Sequence, residues 1–183
     1  MLATELKTGR IFKDNEQPFL VVRYEHIKSA RGGANVKVKA KNLLTGAVLE
    51  KSYLASARVG DADIIRKNAQ YLYKDTGYVF MDPDTYEQFT IGEDILGEGA
   101  RFLVEGENVI VMYFEGRPVS VDLPVSSVFE INYTEPGFKG NTVSNVLKEA
   151  TLNNGTVVRV PTFIKIGDRV KIDTRTGEYV SKA

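Results

Sequence analysis

Apolar and polar residues alternate with a period of two along much of the chain, which indicates β-strands with one buried face. The alternation is clearest in Asn35–Asn42, which contains Val36, Lys37, Val38, Lys39, Ala40 and Lys41. Successive side chains of a strand point to opposite faces, so the three lysines are expected to share one face. A preceding strand is predicted over Phe19–Glu25. The turn at Thr45-Gly46 leads into a third strand, Val48–Tyr53.

The segment between the first two strands predicts a long hairpin loop with basic side chains at its end. It runs from His26 to Ala34 and contains Lys28, Arg31 and the pair Gly32-Gly33, which suits a turn. A solvated loop with exposed cations and a loop that contacts an anionic partner both remain open on composition alone.

The rest of the chain predicts many short strands and almost no helix. Strands are expected at Tyr71–Tyr73, Tyr78–Met81, Ala100–Val104, Val109–Phe114, Val119–Leu123, Val128–Tyr133, Thr156–Val160, Phe163–Lys165, Arg169–Ile172 and Tyr179–Lys182. One short helix is predicted near Asp84–Phe89, with Asp84 as its N-cap and Glu87 three residues later.

Short strands at this spacing favour small closed barrels, which leave few sheet edges exposed. We predict three such barrels, in residues 1–62, 63–127 and 128–183, with linkers near Gly60–Asp63 and Pro124–Ser127. Barrels of this size bury little core alone, so we expect neighbours to pack on one another.

The net charge of zero conceals an uneven distribution along the chain. Residues 1–62 carry 11 Lys and Arg against 6 Asp and Glu, residues 63–127 carry 5 against 12, and residues 128–183 carry 8 against 6. Basic ends around an acidic middle suggest a polyanion that is bound at the ends and avoided in the centre. The acidic middle is equally consistent with a role in solubility.

Composition excludes several classes of protein. The 183 residues contain no cysteine and one histidine, His26, so disulfides, cysteine-based zinc sites and multi-histidine metal sites are ruled out. The N-terminus has charges and no apolar run typical of a secretory signal. With no apolar segment of membrane-spanning length, a soluble cytoplasmic protein without membrane contact is expected.

Catalytic chemistry has little support in the sequence, and we expect no enzyme activity. Phosphate-binding loops, nucleophile elbows and metalloprotease motifs are absent. Asp82 with Asp84, or Glu93 with Asp94, could be paired as acid and base, but carboxylates in turns usually cap or face solvent. Tyr71, Tyr73, Tyr78 and Tyr86 are expected in the core in preference to a base-stacking platform.

The C-terminal part carries a long and specific motif. Residues 148–167 read KEATLNNGTVVRVPTFIKIG, residues 173–179 read DTRTGEY, and residues 136–142 read PGFKGNT. Together with LTG at 44–46, YLY at 71–73 and FM at 80–81, they resemble bacterial elongation factor P over essentially the whole chain.

This resemblance implies a fold and a function. The fold would be all-β, with an SH3-like (KOW-like) N-terminal domain and two OB-fold domains arranged in an L shape like transfer RNA. The family binds both ribosomal subunits between the peptidyl and exit sites. It promotes peptide-bond formation at consecutive-proline stalls and needs no cofactor. A monomer is expected.

The resemblance also implies the site residues. Arg31 corresponds to the loop tip that reaches toward the acceptor end of peptidyl-tRNA, and it would be either rhamnosylated by a loop-modifying enzyme or left bare. Expected RNA contacts are Lys28, Gly32, Gly33, Lys37, Lys39, Lys41, Asn141, Arg175 and Tyr179. No catalytic residue and no metal ligand is expected.

Two alternatives share parts of this pattern. An elongation factor P-like paralogue would have the same architecture and relieve different stalls. A general RNA-binding OB-fold protein would display aromatic side chains on exposed strand faces.

Overall fold

A computed structural model describes residues 1–29, 33–136 and 147–183, without the side chains of residues 28, 29 and 33. Its strands are β1 (Ile11–Asp14), β2 (Gln17–Ser29), β3 (Gly33–Asn42), β4 (Val48–Leu54), β5 (Gly60–Asp61), β6 (Ile64–Lys74), β7 (Tyr78–Met81), β8 (Gln88–Ile91), β9 (Asn108–Phe114), β10 (Arg117–Asp122), β11 (Ser126–Thr134), β12 (Leu147–Leu152), β13 (Val157–Pro161), β14 (Arg169–Asp173) and β15 (Tyr179–Lys182). Helix is confined to short pieces: a 3-10 helix at Ala3–Glu5, α1 (Glu93–Leu96) and a 3-10 helix at Gly97–Phe102. The all-β class is confirmed.

The strands form three five-stranded sheets. Their orders are β4-β3-β2-β1-β5, β10-β9-β6-β7-β8 and β13-β12-β11-β14-β15. Strands that follow one another in the chain mostly lie side by side as antiparallel pairs, as short hairpin connections require. In the described residues, no helix is long and apolar enough to cross a membrane.

By compactness the chain divides into two units. The first comprises Met1–Asn68, Thr90–Ile95 and Ile110–Asp122; the second comprises Ala69–Phe89, Leu96–Val109 and Leu123–Ala183. This division assigns parts of the middle segment to each unit, so the three boundaries expected from sequence stay a prediction.

The first unit is built around the inward faces of β1, β2 and β3. Its main cluster of buried residues is Ala3, Leu6, Phe12, Phe19, Val21, Val36, Val38 and Ala40. The rings of Phe12 and Phe19 stack with centroids 5.7 Å apart. A second cluster joins Leu43 to Met112, Phe114 and Val119. The strands in which apolar and polar residues alternate therefore form a sheet with one face buried, as expected.

The core of the second unit depends on a residue from outside the third sheet. Phe102, at the end of the Gly97–Phe102 helix, is 2% exposed and packs with the nine other buried residues of the cluster that includes Phe129. The two rings meet edge to face at 6.2 Å. The backbone oxygen of Arg101 accepts hydrogen bonds from Asn154 Nδ2 at 2.7 Å and Thr156 Oγ1 at 3.1 Å. These contacts hold the helix against the sheet.

One six-residue turn closes a hairpin three times, over residues 42–47, 82–87 and 173–178. In each, an Asn or Asp side chain accepts hydrogen bonds from the backbone N–H groups two and three residues later. The first residue's N–H bonds to the sixth residue's carbonyl, and the fifth residue's N–H bonds back to the first. The fourth residue is always Thr, whose hydroxyl accepts the sixth N–H. The turn is an Asx-capped motif.

The predicted helix at Asp84–Phe89 is wrong, because these residues belong to the second of these turns and to β8. Asp82 rather than Asp84 supplies the capping carboxylate, with Oδ1 2.9 Å from the N–H of Asp84. Tyr86 has φ of +61°, a left-handed conformation that ends any right-handed helix.

Several predicted strand limits also differ from the structure. Ala100–Val104 is mostly 3-10 helix, and Phe163–Lys165 is a loop, since short apolar runs do not distinguish strand from other buried structure. His26 lies in β2 and not in a loop, because the hairpin strands extend to Ser29 and Gly33. In the first predicted linker, Gly60–Asp61 is a strand that pairs with β1.

Tyr86→Gly should stabilise the protein. The fifth position of the turn has φ of +74° at Gly46 and +75° at Gly177, whereas Tyr86 holds the same region with a side chain. The left-handed conformation costs a non-glycine residue about 1–2 kcal/mol, and the Tyr86 side chain is 73% exposed, so little packing is lost. We expect the free energy of unfolding, measured in urea, to rise by about 0.5–1 kcal/mol.

The matched control is Gly46→Ala, where an added Cβ would meet nothing within 4 Å. Only backbone strain remains there, so the free energy of unfolding should fall by about 1 kcal/mol. Equal effects of the two substitutions would contradict the conformational explanation.

Phe102→Ala should destabilise the second unit strongly. The side chain is buried, and removal of a core phenylalanine typically costs about 3–5 kcal/mol. Phe163→Ala is the matched control, because Phe163 is 63% exposed and surface changes usually stay within about 0.5 kcal/mol. Chemical denaturation of both variants measures the difference. Similar stabilities would show that Phe102 does not hold the helix to the sheet.

Candidate nucleic-acid interface

The hairpin of β2 and β3 is the candidate site of the first sheet. Its strands have 13 and 10 residues, and their register runs from Phe19↔Asn42 to Ser29↔Gly33. The pairing shifts once, between Val21 and Arg23. Residues 30–32 join the two strands and lie outside the described residues.

One face of β3 is buried and the other is basic. Val36, Val38 and Ala40 are 0% exposed, and the alternating residues are lysines. Lys37 and Lys41 are half-buried and Lys39 is exposed. The register places Arg23 of β2 beside Lys39, on the same outward face.

Two carboxylates share this face, and sequence reasoning missed them. Glu50 of β4 lies opposite Lys39, and its Oε2 is 3.1 Å from Lys37 Nζ. Glu25 of β2 lies opposite Lys37, and its Oε1 is 2.9 Å from Arg23 Nη2. Among the described side chains, this face therefore carries the four cations Arg23, Lys37, Lys39 and Lys41 and the two carboxylates Glu25 and Glu50. Extending the β3–β4 pairing outward from the turn at Thr45-Gly46 would have found Glu50 opposite Lys39.

Lys39 and Lys41 differ from Lys37 in their ion pairing. In the part of the chain that the structure describes, Lys37 is paired, whereas neither Lys39 nor Lys41 has a carboxylate within ion-pair distance. Two ammonium groups are thus available to an anionic partner. This gives the two unpaired lysines most of the face's capacity to contact phosphate.

A polar cluster ties the outer strand β4 to β1 at the base of the hairpin. Asp14 Oδ2 is 2.6 Å from Lys51 Nζ and accepts a hydrogen bond from the Tyr53 hydroxyl at 3.3 Å. Burial, followed by the charge of Asp14, raises the pKa of Tyr53, so the phenol stays protonated and can donate. Lys51 Nζ also lies 4.2 Å above the centre of the Phe19 ring. The sheet that carries the hairpin is therefore braced across its width.

Five of the predicted site residues cannot be placed in full. Arg31, Gly32 and Asn141 lie outside the described residues. Lys28 and Gly33 belong to β2 and β3, opposite Ala34 and Ser29 respectively, but their side chains are outside the described part.

Arg175 lies in the turn at residues 173–178 and Tyr179 begins β15, and the two side chains differ in their surroundings. The guanidinium of Arg175 contacts Asp173 twice, with Nη2–Oδ2 at 2.6 Å and Nε–Oδ1 at 3.2 Å. This side-chain bond to Arg175 is the largest factor that lowers the pKa of Asp173, to about 2. Tyr179 is half-buried and lines a cleft of about 570 Å³ with Arg101 and Arg159. Arg175 therefore stabilises its own turn, whereas Tyr179 faces a cleft.

The four tyrosines do not form one platform. Tyr71 and Tyr78 are each 5% exposed, and their rings lie 6.1 Å apart; Tyr71 also contacts Phe80 at 5.4 Å. Tyr73 and Tyr86 are 46% and 73% exposed. The expectation of core tyrosines holds for the first pair and is wrong for the second.

Of the carboxylates weighed as acid and base, Asp82 has a structural role. Asp82 caps the second turn, as described above, and Asp94 begins the short helix α1 with Glu93. Within the described ranges, no three His, Asp or Glu side chains form a group that could hold a metal ion.

Comparison with known proteins gives matches across the chain. Family models match residues 2–59 as the elongation factor P KOW-like domain, 64–121 as its OB domain and 128–182 as its C-terminal domain. The elongation factor P of Nitratidesulfovibrio vulgaris is 44% identical over 180 residues, covering 98% of this chain and 97% of that one. The chain belongs to the elongation factor P family. It is therefore a translation elongation factor.

Other members of the family are similarly close. The elongation factor P of Clostridioides difficile is 43% identical, with 98% of each chain covered, and that of Beutenbergia cavernae is 42% identical, with 97% and 96% covered. A solved structure of eukaryotic translation initiation factor 5A from Methanococcus jannaschii aligns with a TM-score of 0.48 at 24% identity, over 66% of this chain and 94% of that one.

Neutralising the lysines one at a time should show which of them contribute to RNA binding. Lys39→Gln should reduce affinity for single-stranded RNA and lower the slope of log affinity against log salt by about 0.7, because one phosphate contact is lost. Lys37→Gln should leave that slope nearly unchanged, since Lys37 is paired with Glu50. Titration of labelled RNA at several salt concentrations measures both.

Glu50→Gln is the control of opposite sign. It frees Lys37 and removes a negative charge, so RNA affinity at low salt should rise. If all three variants bound RNA as the wild type does, the outward face of β3 would not be an RNA contact.

Proposed function

We propose that this elongation factor binds the ribosome between the peptidyl and exit sites and promotes peptide-bond formation when consecutive prolines stall translation. Arg31 acts at the acceptor end of peptidyl-tRNA. The observation that carries the proposal is the β2–β3 hairpin, whose ten paired positions lead to the segment that contains Arg31. The family membership of the whole chain supports it.

The hairpin suits a positioning role because its base is held at several points. The buried face of β3 anchors it in the core, and the Asp14–Lys51 ion pair at 2.6 Å ties β4 to β1. A contact made from a braced support loses less freedom on binding than one made from an unsupported segment. The hairpin can therefore hold Arg31 in a defined position against its partner.

The mechanism is positional and electrostatic. Proline is a poor peptidyl donor and acceptor because its ring restricts the geometry of attack, and correct placement of reacting groups recovers rate without covalent participation. The guanidinium of Arg31 would hold a phosphate or ribose near the reacting end, where its planar fork binds oxygen better than a point charge does. The factor itself would catalyse no reaction and would need no cofactor.

Sequence-independent attraction to RNA would come from the basic face. Lys39 and Lys41, which have no carboxylate within ion-pair distance among the described residues, add cations on the β3 strand of the hairpin. Lys28 lies further along β2, and Gly32-Gly33 would allow close approach of the backbone. The third domain would contact the small subunit through Asn141 and Tyr179, while Arg175 supports the turn beside Tyr179. We propose a cytoplasmic monomer.

Two alternatives are distinguished by the same assays. A paralogue with another stall specificity would relieve other sequences but not consecutive prolines. A general RNA-binding OB-fold protein would bind RNA and relieve no stall; exposed aromatic residues of the third domain, Tyr133 at 59% and Phe163 at 63%, are the feature that favours it.

Arg31→Ala should abolish most relief of proline stalling. The measurement is the synthesis rate of a reporter with consecutive prolines, relative to one without, in extracts that lack the native factor. Because the proposal assigns Arg31 to the tip of the loop, its substitution should change the free energy of unfolding by less than about 0.5 kcal/mol. Arg31→Lys should resemble Arg31→Ala, because it loses the planar fork and any arginine-specific rhamnose.

The control is Arg58→Ala, which removes an arginine of the same domain away from the hairpin. It should keep full rescue. Intact mass of natively produced protein shows whether one deoxyhexose is present on Arg31. Equal rescue by Arg31→Ala and the wild type would show that Arg31 is not the functional residue of this loop.

A further inference from the structure

The loop between β13 and β14 displays two large apolar side chains to solvent. Phe163 is 63% exposed and Ile166 is 60% exposed, and Lys165 lies between them in the sequence. Ile164, in the same loop, is 0% exposed and belongs to the core of the third sheet. The loop is therefore anchored by one side chain while its neighbours face outward.

Hydrogen bonds hold this loop in one conformation. The N–H of Lys165 donates to Asp168 Oδ2 at 2.9 Å, and the N–H of Asp168 donates to the carbonyl of Lys165 at 3.1 Å. Ile131 of β11 exchanges two backbone bonds with Gly167 and Asp168, each at 2.9 Å. The ammonium of Lys182 closes the base of the loop, 2.7 Å from Asp168 Oδ1.

Such a loop presents Phe163 and Ile166 at little further entropic cost to binding. Removal of a large apolar side chain from water is favourable, and the loop leaves two such side chains in water. Because the backbone is already ordered, most of that free energy is available to a partner.

Basic residues lie in the loop that carries the two apolar side chains and on the strands next to it. Lys165 and Lys182 both lie near the single carboxylate of Asp168 and lower its pKa, Lys182 most strongly through its hydrogen bond. Arg169 and Lys171 project from the outward face of β14, since Val170 and Ile172 between and after them are buried. Glu130 of β11 lies opposite Arg169. Four cations against two carboxylates favour an anionic partner.

We propose that this loop is an RNA contact in which the ring of Phe163 stacks on an unpaired base, Ile166 packs beside it, and Lys165 and Arg169 hold the adjoining phosphates. An aromatic ring set among cations is the arrangement that binds single-stranded nucleic acid without dependence on sequence. The identity of the RNA as ribosomal rests on the proposed function, whereas the binding chemistry of the loop does not.

Binding to a short, fluorescently labelled single-stranded RNA tests the contact on the free protein. Phe163→Ala should weaken binding roughly 5- to 100-fold, the range for loss of one stacked base. Phe163→Trp should retain binding, which a merely structural role of this exposed side chain would not predict. Lys165→Gln should weaken binding and lower its salt dependence.

Tyr86→Ala is the matched control. Tyr86 is 73% exposed, but it lies in a turn with Asp82, Asp84 and Glu87, where like charge repels phosphate. Its removal should leave RNA affinity unchanged. Equal affinities of Phe163→Ala, Tyr86→Ala and the wild type would overturn the proposal.

Photocrosslinking identifies the partner on ribosomes that carry peptidyl-tRNA. A benzophenone-bearing phenylalanine analogue at position 163 should crosslink to RNA, and the same analogue at position 86 should not. Crosslinks from position 163 to ribosomal protein, or to nothing, would overturn the proposal. Neither assay measures stall relief, so a failure of the Arg31 mechanism would be seen separately in the reporter experiment.

Discussion

The alternation of side chains across the strands of the first sheet is the constraint on which the candidate site depends. Because Val36, Val38 and Ala40 must be buried together, every second residue of β3 is forced onto the opposite face. A one-residue shift of the strand register that turned the lysines inward would expose the apolar residues of the core. A single packing requirement therefore both anchors the hairpin and displays its cations.

The turns that close the hairpins likewise follow one repeated pattern. One Asx-capped turn recurs at Asn42, Asp82 and Asp173, with a threonine at the fourth position each time. In the third copy, Gly177 also lies against the ring of Phe102, where an added Cβ would come within 3.1 Å of Cζ. That turn is thus shaped both by its own hydrogen bonds and by the helix packed against the third sheet.

The third domain presents two kinds of polar surface. At the turn, the guanidinium of Arg175 is held by Asp173, which makes it a structural element of the hairpin. At the β13–β14 loop, Asp168 is held by the Lys165 backbone and the Lys182 ammonium, and the apolar side chains remain exposed. The two acids stabilise loops in similar ways, but only the second loop leaves large apolar groups for a partner.

Sequence alone was sufficient for the all-β class, the lysine face of β3 and the family, because these depend on local alternation and on long, specific motifs. It failed where a local pattern typical of one element belongs to another in the structure. The turn at Asp82–Glu87 reads as a helix cap until the left-handed Tyr86 is known, and Ala100–Val104 reads as a strand although Phe102 is buried from a 3-10 helix.

The amino-acid sequence determined which side chains each strand carries. The alternation of side chains along a strand determined which of them share a face. Tertiary structure alone decided which charges meet across strands. Glu50 faces Lys39 in the β3–β4 register, yet its Oε2 lies 3.1 Å from Nζ of the diagonal neighbour Lys37. Among the described residues, Lys39 has no carboxylate within ion-pair distance. The exposure of Phe163 was likewise decided by tertiary structure, because the buried neighbour Ile164 and the hydrogen bonds of Asp168 set the direction of the loop.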